Sequence, residues 1–171
     1  MHLSGRPGKK QRHFQKTNFY FEIIIGEDDS TDNTRDICKG LAEKNQDKIR
    51  LFLRSEKDKI YHRGRKTSRF NYMSNLRSAR GNYIALCDGD DYWTDSKKLQ
   101  KQVTILDENK NFIASHHWQK NAVFEDDNWS EVDSPKENGS LFVFGRGREV
   151  NYFIFYFIYF FLINYILIRD N

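Results

Sequence analysis

The densest chemistry in this chain lies in Tyr83–Trp93, YIALCDGDDYW. Three carboxylates, Asp88, Asp90 and Asp91, fall within four positions, and Gly89 separates the first two. Like charges crowded this closely make one another harder to ionise unless a cation compensates them. Hard oxygen ligands suit Mg2+ or Mn2+, which a few carboxylates commonly share with a substrate diphosphate. For a lone Asp-x-Asp, an acidic solvated turn is the plainer reading. Here a second acidic stretch, Glu27-Asp28-Asp29, lies upstream and favours a metal and nucleotide site.

Both acidic stretches follow apolar runs. Phe19–Ile25 and Tyr83–Cys87 are rich in aromatic and β-branched residues, as buried strands are. After the first, Ser30–Thr34 supply N-cap candidates for a helix to about Lys44, with Ile37, Cys38, Leu41 and Ala42 on its apolar face. Asp29 and Asp32 can serve that helix N-terminus, which leaves Asp28 as the acid hardest to explain structurally. Ile49–Leu53 reads as a short strand, Phe70–Arg80 as a helix closed by Gly81, and Ser96–Asn109 as a helix capped by Thr94 or Asp95. Phe112–Ser115 is a further strand, Ala122–Phe124 a return strand and Glu125–Asn128 a turn. His116 and His117 are adjacent in a strand and point to opposite faces, so at most one could reach a metal. The β-α-β alternation predicts an α/β fold with a mostly parallel sheet flanked by helices. In such a sheet the two acidic strand ends share one edge, where these folds place ligands.

Charge is unevenly spread. The formal net charge is +4, yet residues 1–20 alone carry Arg6, Lys9, Lys10, Arg12 and Lys16 with no acid. Basicity is thus partly a property of a tail, read as disordered over residues 1–17, and nucleic-acid binding is not expected. From Lys48 to Arg80, eleven Lys and Arg face only Glu56 and Asp58. The group Arg63, Arg65, Lys66 and Arg69 reads equally as a solvated loop or as cations near a diphosphate. Cys38 and Cys87 lack metal-ligand spacing and read as buried reduced thiols of a cytoplasmic chain. The mean hydropathy of −0.81 describes a polar protein. Val150–Ile168 departs from it, with nineteen residues and no charge. That length suits a transmembrane helix, and Arg146 and Arg148 before it would keep residues 18–149 cytoplasmic. Against that helix, Asn151 and Asn164 are polar, and the high Phe and Tyr content also suits β structure.

The segments FEIIIGEDDSTDNT (Phe21–Thr34) and GNYIALCDGDDYWTDSKKLQKQ (Gly81–Gln102) together resemble family 2 glycosyltransferases. These are inverting enzymes of the GT-A nucleotide-diphospho-sugar fold. The resemblance spans about Gln15 to Trp118. It implies a nucleotide-diphospho-sugar donor bound by Glu27, Asp28, Asp88 and Asp90, with Asp28 contacting the base. It implies Mn2+ or Mg2+ held by Asp88, Asp90 and Asp91, a saccharide or lipid-linked acceptor, and a role in cell-surface polysaccharide synthesis. Family members carry a further strand and helix before the position of Phe19, and a catalytic base in a second half. Neither has a counterpart here. The expectation is a partial GT-A domain truncated at both ends, with no catalytic base named. It would be completed by a second chain, or else would be an inactive nucleotide-binding fragment. Phosphoryl-transfer domains of the receiver or haloacid-dehalogenase type fit less well: Tyr92 stands where the latter want Thr or Val, and no receiver Lys or Thr stands at a later strand end.

Overall fold

The computed structural model describes residues 15–89, 91, 93–117, 121–125, 128–132, 141–145 and 164–168. Asp90, the tail to residue 14 and most of the apolar segment after residue 150 lie outside them.

The first strand, β1 (Phe21–Glu27), is buried along nearly its whole length, because helices cover both of its faces. α1 (Thr34–Lys44) carries the chain to β2 (Ile49–Leu53), which pairs parallel with β1. A one-turn 3-10 helix (Glu56–Asp58) and a small hairpin, β3 (Ile60–His62) and β4 (Arg65–Thr67), precede α2 (Arg69–Ser78). Then follow β5 (Tyr83–Cys87), α3 (Lys98–Glu108) and β6 (Ala114–His117). β7 (Asn121–Glu125) and β8 (Asn128–Val132) form a separate hairpin, and β9 (Leu141–Gly145) and β10 (Asn164–Ile168) return to the main sheet.

Strand alternation sorts the helices into two layers. Phe21 and Ala85 pack with Leu99, Val103 and Leu106 of α3, while Ile25 and Ile49 pack with Cys38 of α1. On the opposite face, Ile24 and Ile84 pack with Tyr72 of α2 and with Ala79 just after it. The result is three layers, with α1 and α3 on one face and α2 on the other. Leu99 and Ile24 are completely buried, and each such side chain contributes roughly 1.5–3 kcal/mol.

The six-stranded sheet has the order β2-β1-β10-β5-β9-β6. β1, β2, β5 and β6 point the same way, but β9 and β10 run against them. Only β1–β2 is a parallel pair, and the other four pairings are antiparallel. The expectation of a mostly parallel sheet is corrected here, because two late strands enter between the early ones. The last five residues of the apolar segment form β10 at the sheet's centre, where the sequence also allowed a membrane helix. Among the described residues no helix is long and apolar enough to cross a membrane.

Smaller differences have local causes. Gln15–Thr17, read as tail, dock on the start of α3. Gln15 Nε2 donates to Asp95 O at 2.8 Å, Gln15 Oε1 accepts from Leu99 N–H at 2.9 Å, and Lys16 N–H donates to Ser96 O at 2.7 Å. The Leu99 bond satisfies one of the N–H groups that a helix N-terminus leaves open. α2 ends at Ala79 in an extended conformation, and Gly81 has no left-handed backbone, so Gly81 is no helix cap.

Candidate functional site

β1 and β5 each run antiparallel to β10, so their C-terminal ends lie on one edge. Tyr165 of β10 pairs with Ile24 on one side and Leu86 on the other. Counting on, Gly26 stands level with Asp88, one strand apart, a span of about 10 Å between backbones. The two acidic strand ends therefore flank the same stretch of sheet edge.

At the β1 end, the Glu27 side chain is fully buried. Its Oε1 accepts the Ser30 N–H at 2.7 Å, and its Oε2 accepts Arg35 Nε at 2.6 Å. Burial acts to raise its pKa, but the Ser30 amide and the Arg35 guanidinium outweigh burial and hold it below the ordinary value. Both oxygens are engaged within the protein, so Glu27 anchors the turn. Arg35 also reaches Asp29 Oδ1 at 3.2 Å and the Arg54 carbonyl. Asp29 has a φ of 62°, the left-handed region that Asp tolerates better than most residues. Asp28 is part-exposed and pairs with Lys59 Nζ at 2.9 Å. Asp32 caps the α1 region by accepting the Thr34 N–H at 2.9 Å, a helix role foreseen for it.

Beneath this turn lies a buried polar layer. Arg54, sandwiched between the Phe52 and Phe70 rings at 5.0 and 5.4 Å, donates Nε to Asn71 Oδ1 at 3.1 Å and Nη2 to Asn75 Oδ1 at 2.9 Å. Asn71 Nδ2 donates to the Gly26 carbonyl at 2.8 Å. α2 thereby fixes the last turn of β1 through polar contacts within an apolar interface.

At the β5 end, Asp88 and Asp91 are part-buried, and Asp91 N–H donates to Asp88 O at 3.1 Å. Asp90 lies outside the described residues. Among those that are described, no group of three or more His, Cys, Asp or Glu side chains is placed to hold a metal ion. His116 is exposed and His117 part-buried on β6, at the far edge of the sheet, and neither joins such a group. Behind the turn, Lys98 is buried with Nζ 3.8 Å from the Trp93 ring centroid, and burial pushes its pKa down to about 7. Burial likewise pushes the Cys38 thiol up to about 11, and both cysteines are buried and outside any disulfide, as expected.

Lys59 and Arg35 are cations that pair with the acids of the β1 end. Lys66 pairs with Glu56 at 2.6 Å. Sequence reasoning also missed Arg54, Asn71 and Asn75. The signal was there, in two Asn four residues apart on a helix that had to face the sheet.

An α/β/α sheet with carboxylates at strand ends along one edge is an architecture in which enzymes bind nucleotides. Residues 9–164 match Glycosyl transferase family 2, and the chain belongs to that family, which implies a GT-A α/β fold. An uncharacterized protein of Mycobacterium tuberculosis is 38% identical over 112 residues, which is 66% of this chain and 30% of that protein. An uncharacterized glycosyltransferase of Nostoc is 30% identical over 102 residues, or 60% of this chain and 29% of that one. The chain thus spans about three tenths of the length of the curated relatives it matches. No solved structure matches it significantly.

Proposed function

We propose that this chain carries the donor-binding part of a nucleotide-sugar transferase, with the nucleotide diphosphate lying along the sheet edge between Asp28 and the Asp88–Asp91 turn. The observation that supports this best is the level placement of Gly26 and Asp88 on one edge, with a single strand between them. In this reading Asp28 contacts the base, Asp88 and Asp90 face the ribose and diphosphate, and Asp91 assists. Glu27 acts one step back: held by Arg35 and Ser30, it sets the turn that presents Asp28. Lys59 fixes the Asp28 carboxylate at 2.9 Å and orients it. The donor set at the second turn is all carboxylate, which fits Mn2+ or Mg2+. When bound, such an ion would neutralise charge on the departing diphosphate. The acceptor is a saccharide or lipid-linked hydroxyl, and the setting is cell-surface polysaccharide synthesis. No described residue is assigned the deprotonation of that hydroxyl.

The test is calorimetric titration of UDP, GDP and dTDP into the full chain, with and without Mn2+, beside the Asp88→Asn variant. Metal-dependent binding to one nucleotide, weakened at least about tenfold in the variant, is expected. A folded chain that binds none of the three would overturn the reading.

A further inference from the structure

The β3–β4 hairpin is the most strongly charged exposed feature among the described residues, and its two faces differ. The pairing Ile60↔Thr67, Tyr61↔Lys66 and His62↔Arg65 puts Tyr61 and Lys66 on one face, and Ile60, His62 and Arg65 on the other. The first face is stitched down. Glu56 Oε2 pairs with Lys66 Nζ at 2.6 Å, and Glu56 Oε1 accepts the Tyr61 hydroxyl. The second face is open. Ile60 is 42% exposed, His62 and Arg65 are exposed beside it, and among the described residues neither Arg63 nor Arg65 has an ion-pair partner.

The segment's charge balance is one-sided. Arg54–Arg69 holds seven Lys and Arg against Glu56 and Asp58. Both acids are engaged within the segment, Glu56 as above and Asp58 Oδ2 by the Ser55 N–H at 2.8 Å. The tip adds a second observation. Arg63 and Gly64 have φ of 50° and 75°, a two-residue turn that favours Asn-Gly or Asp-Gly. Arg is a poor choice for that first position by roughly 1 kcal/mol. Among the described residues nothing in the fold needs a guanidinium there.

We infer that the open face of the β3–β4 hairpin docks on an anionic lipid surface, with Arg63 and Arg65 at the headgroups and Ile60 pressed into the interface. An exposed aliphatic side chain between cations suits a lipid surface better than a soluble polyanion, which has no apolar phase to offer. The hairpin's base is tied to the sheet edge through Lys59 and Asp28, so docking would hold that edge towards the surface. The inference goes beyond sugar transfer and does not depend on it.

Flotation of the full chain with vesicles of phosphatidylcholine, with and without phosphatidylglycerol, tests it at low ionic strength. Binding is expected only with phosphatidylglycerol. The variant Arg63→Asn/Arg65→Gln, which keeps the turn geometry, should bind roughly thirty-fold less. Ile60→Ser should bind vesicles several-fold less and leave heparin binding unchanged. Vesicle binding by the double variant equal to that of the parent chain would assign it to the basic N-terminal residues and overturn the inference. So would vesicle binding indifferent to Ile60→Ser, which would point to a soluble polyanion site. Nucleotide titration of the same variants without vesicles tests the donor site separately.

Discussion

Gly26 is the point where the strand bearing the acidic turn touches α2, and Gly26→Ala should show how tightly the buried polar layer holds it. Gly26 has no left-handed backbone, so its requirement is one of space. A Cβ there would stand 1.9 Å from Asn71 Oδ1, 2.4 Å from Asn75 Nδ2 and 2.7 Å from Asn71 Cγ. Ordinary contact needs about 3.5 Å or more, so both amides must retreat by about 1 Å or more. They cannot do so independently. Retreat breaks the Asn71 bond to the Gly26 carbonyl at 2.8 Å and the two Arg54 bonds at 3.1 and 2.9 Å. A lost neutral bond costs about 0.5–1.5 kcal/mol and one to a charged group about 1.5–3. Overpacking costs about 1–3 more. Because the terms share one rearrangement, the expected net loss is about 3–5 kcal/mol, a large part of a typical domain's stability. Equilibrium urea unfolding of the full chain reads it. Asn71→Ala alone should destabilise by about 1–3 kcal/mol, since it leaves Arg54 Nε and the Gly26 carbonyl unpaired. In the Gly26→Ala background the same change removes the two atoms of Asn71 in the clash and should cost nothing or restore stability. That is a coupling of at least about 1 kcal/mol. A Gly26→Ala loss under about 1 kcal/mol, or an additive double variant, would refute the reasoning.

The remaining predictions concern the anchor of the turn and the middle of the sheet. Glu27→Gln should destabilise by about 1–3 kcal/mol at pH 7, because it removes the shorter of the two Arg35 ion pairs, at a buried carboxylate, and leaves Arg35 with the Asp29 ion pair at 3.2 Å. The folded Glu27 pKa is lowered, so its stabilisation is present above the ordinary carboxyl pKa and is lost as pH falls through the folded value. The gap between parent and variant should therefore close in acid, and a gap independent of pH would argue against the Arg35 pair. Ile166→Pro removes a backbone donor from a strand paired on both sides, with Ile23 and with Ala85, and should cost about 3 kcal/mol or more in urea unfolding. No change would mean that this segment does not sit in the sheet.

How far the sequence could be read depended on the range of each interaction. β1, α1, β5 and α3 were legible because each buries a face whose apolar spacing repeats within the element itself. Asp28 and Asp88 were legible as strand-end acids for the same reason, and the shared edge followed from the direction of the strands that bear them. Arg54, Asn71 and Asn75 were not, because a polar side chain between helix and sheet looks like a surface residue until its partners are known. Lys59 was hidden among eleven cations of similar appearance, and only the 3-10 turn before it brings it to Asp28. β10 poses the sharpest case. NYILI ends a run whose length and lack of charge suit a membrane helix, but a strand buried between two others is also continuously apolar. Hydropathy reports only that water is excluded, and both settings exclude it. What separates them is where the backbone N–H groups find acceptors: within one helix, or across to β1 and β5. That difference lies in pairing partners more than seventy residues away from β5, and no local pattern encodes it. The same reasoning ties the acidic edge to the far end of the chain. β10 separates β1 from β5, so whatever stabilises β10 also sets how far apart the two acidic strand ends stand.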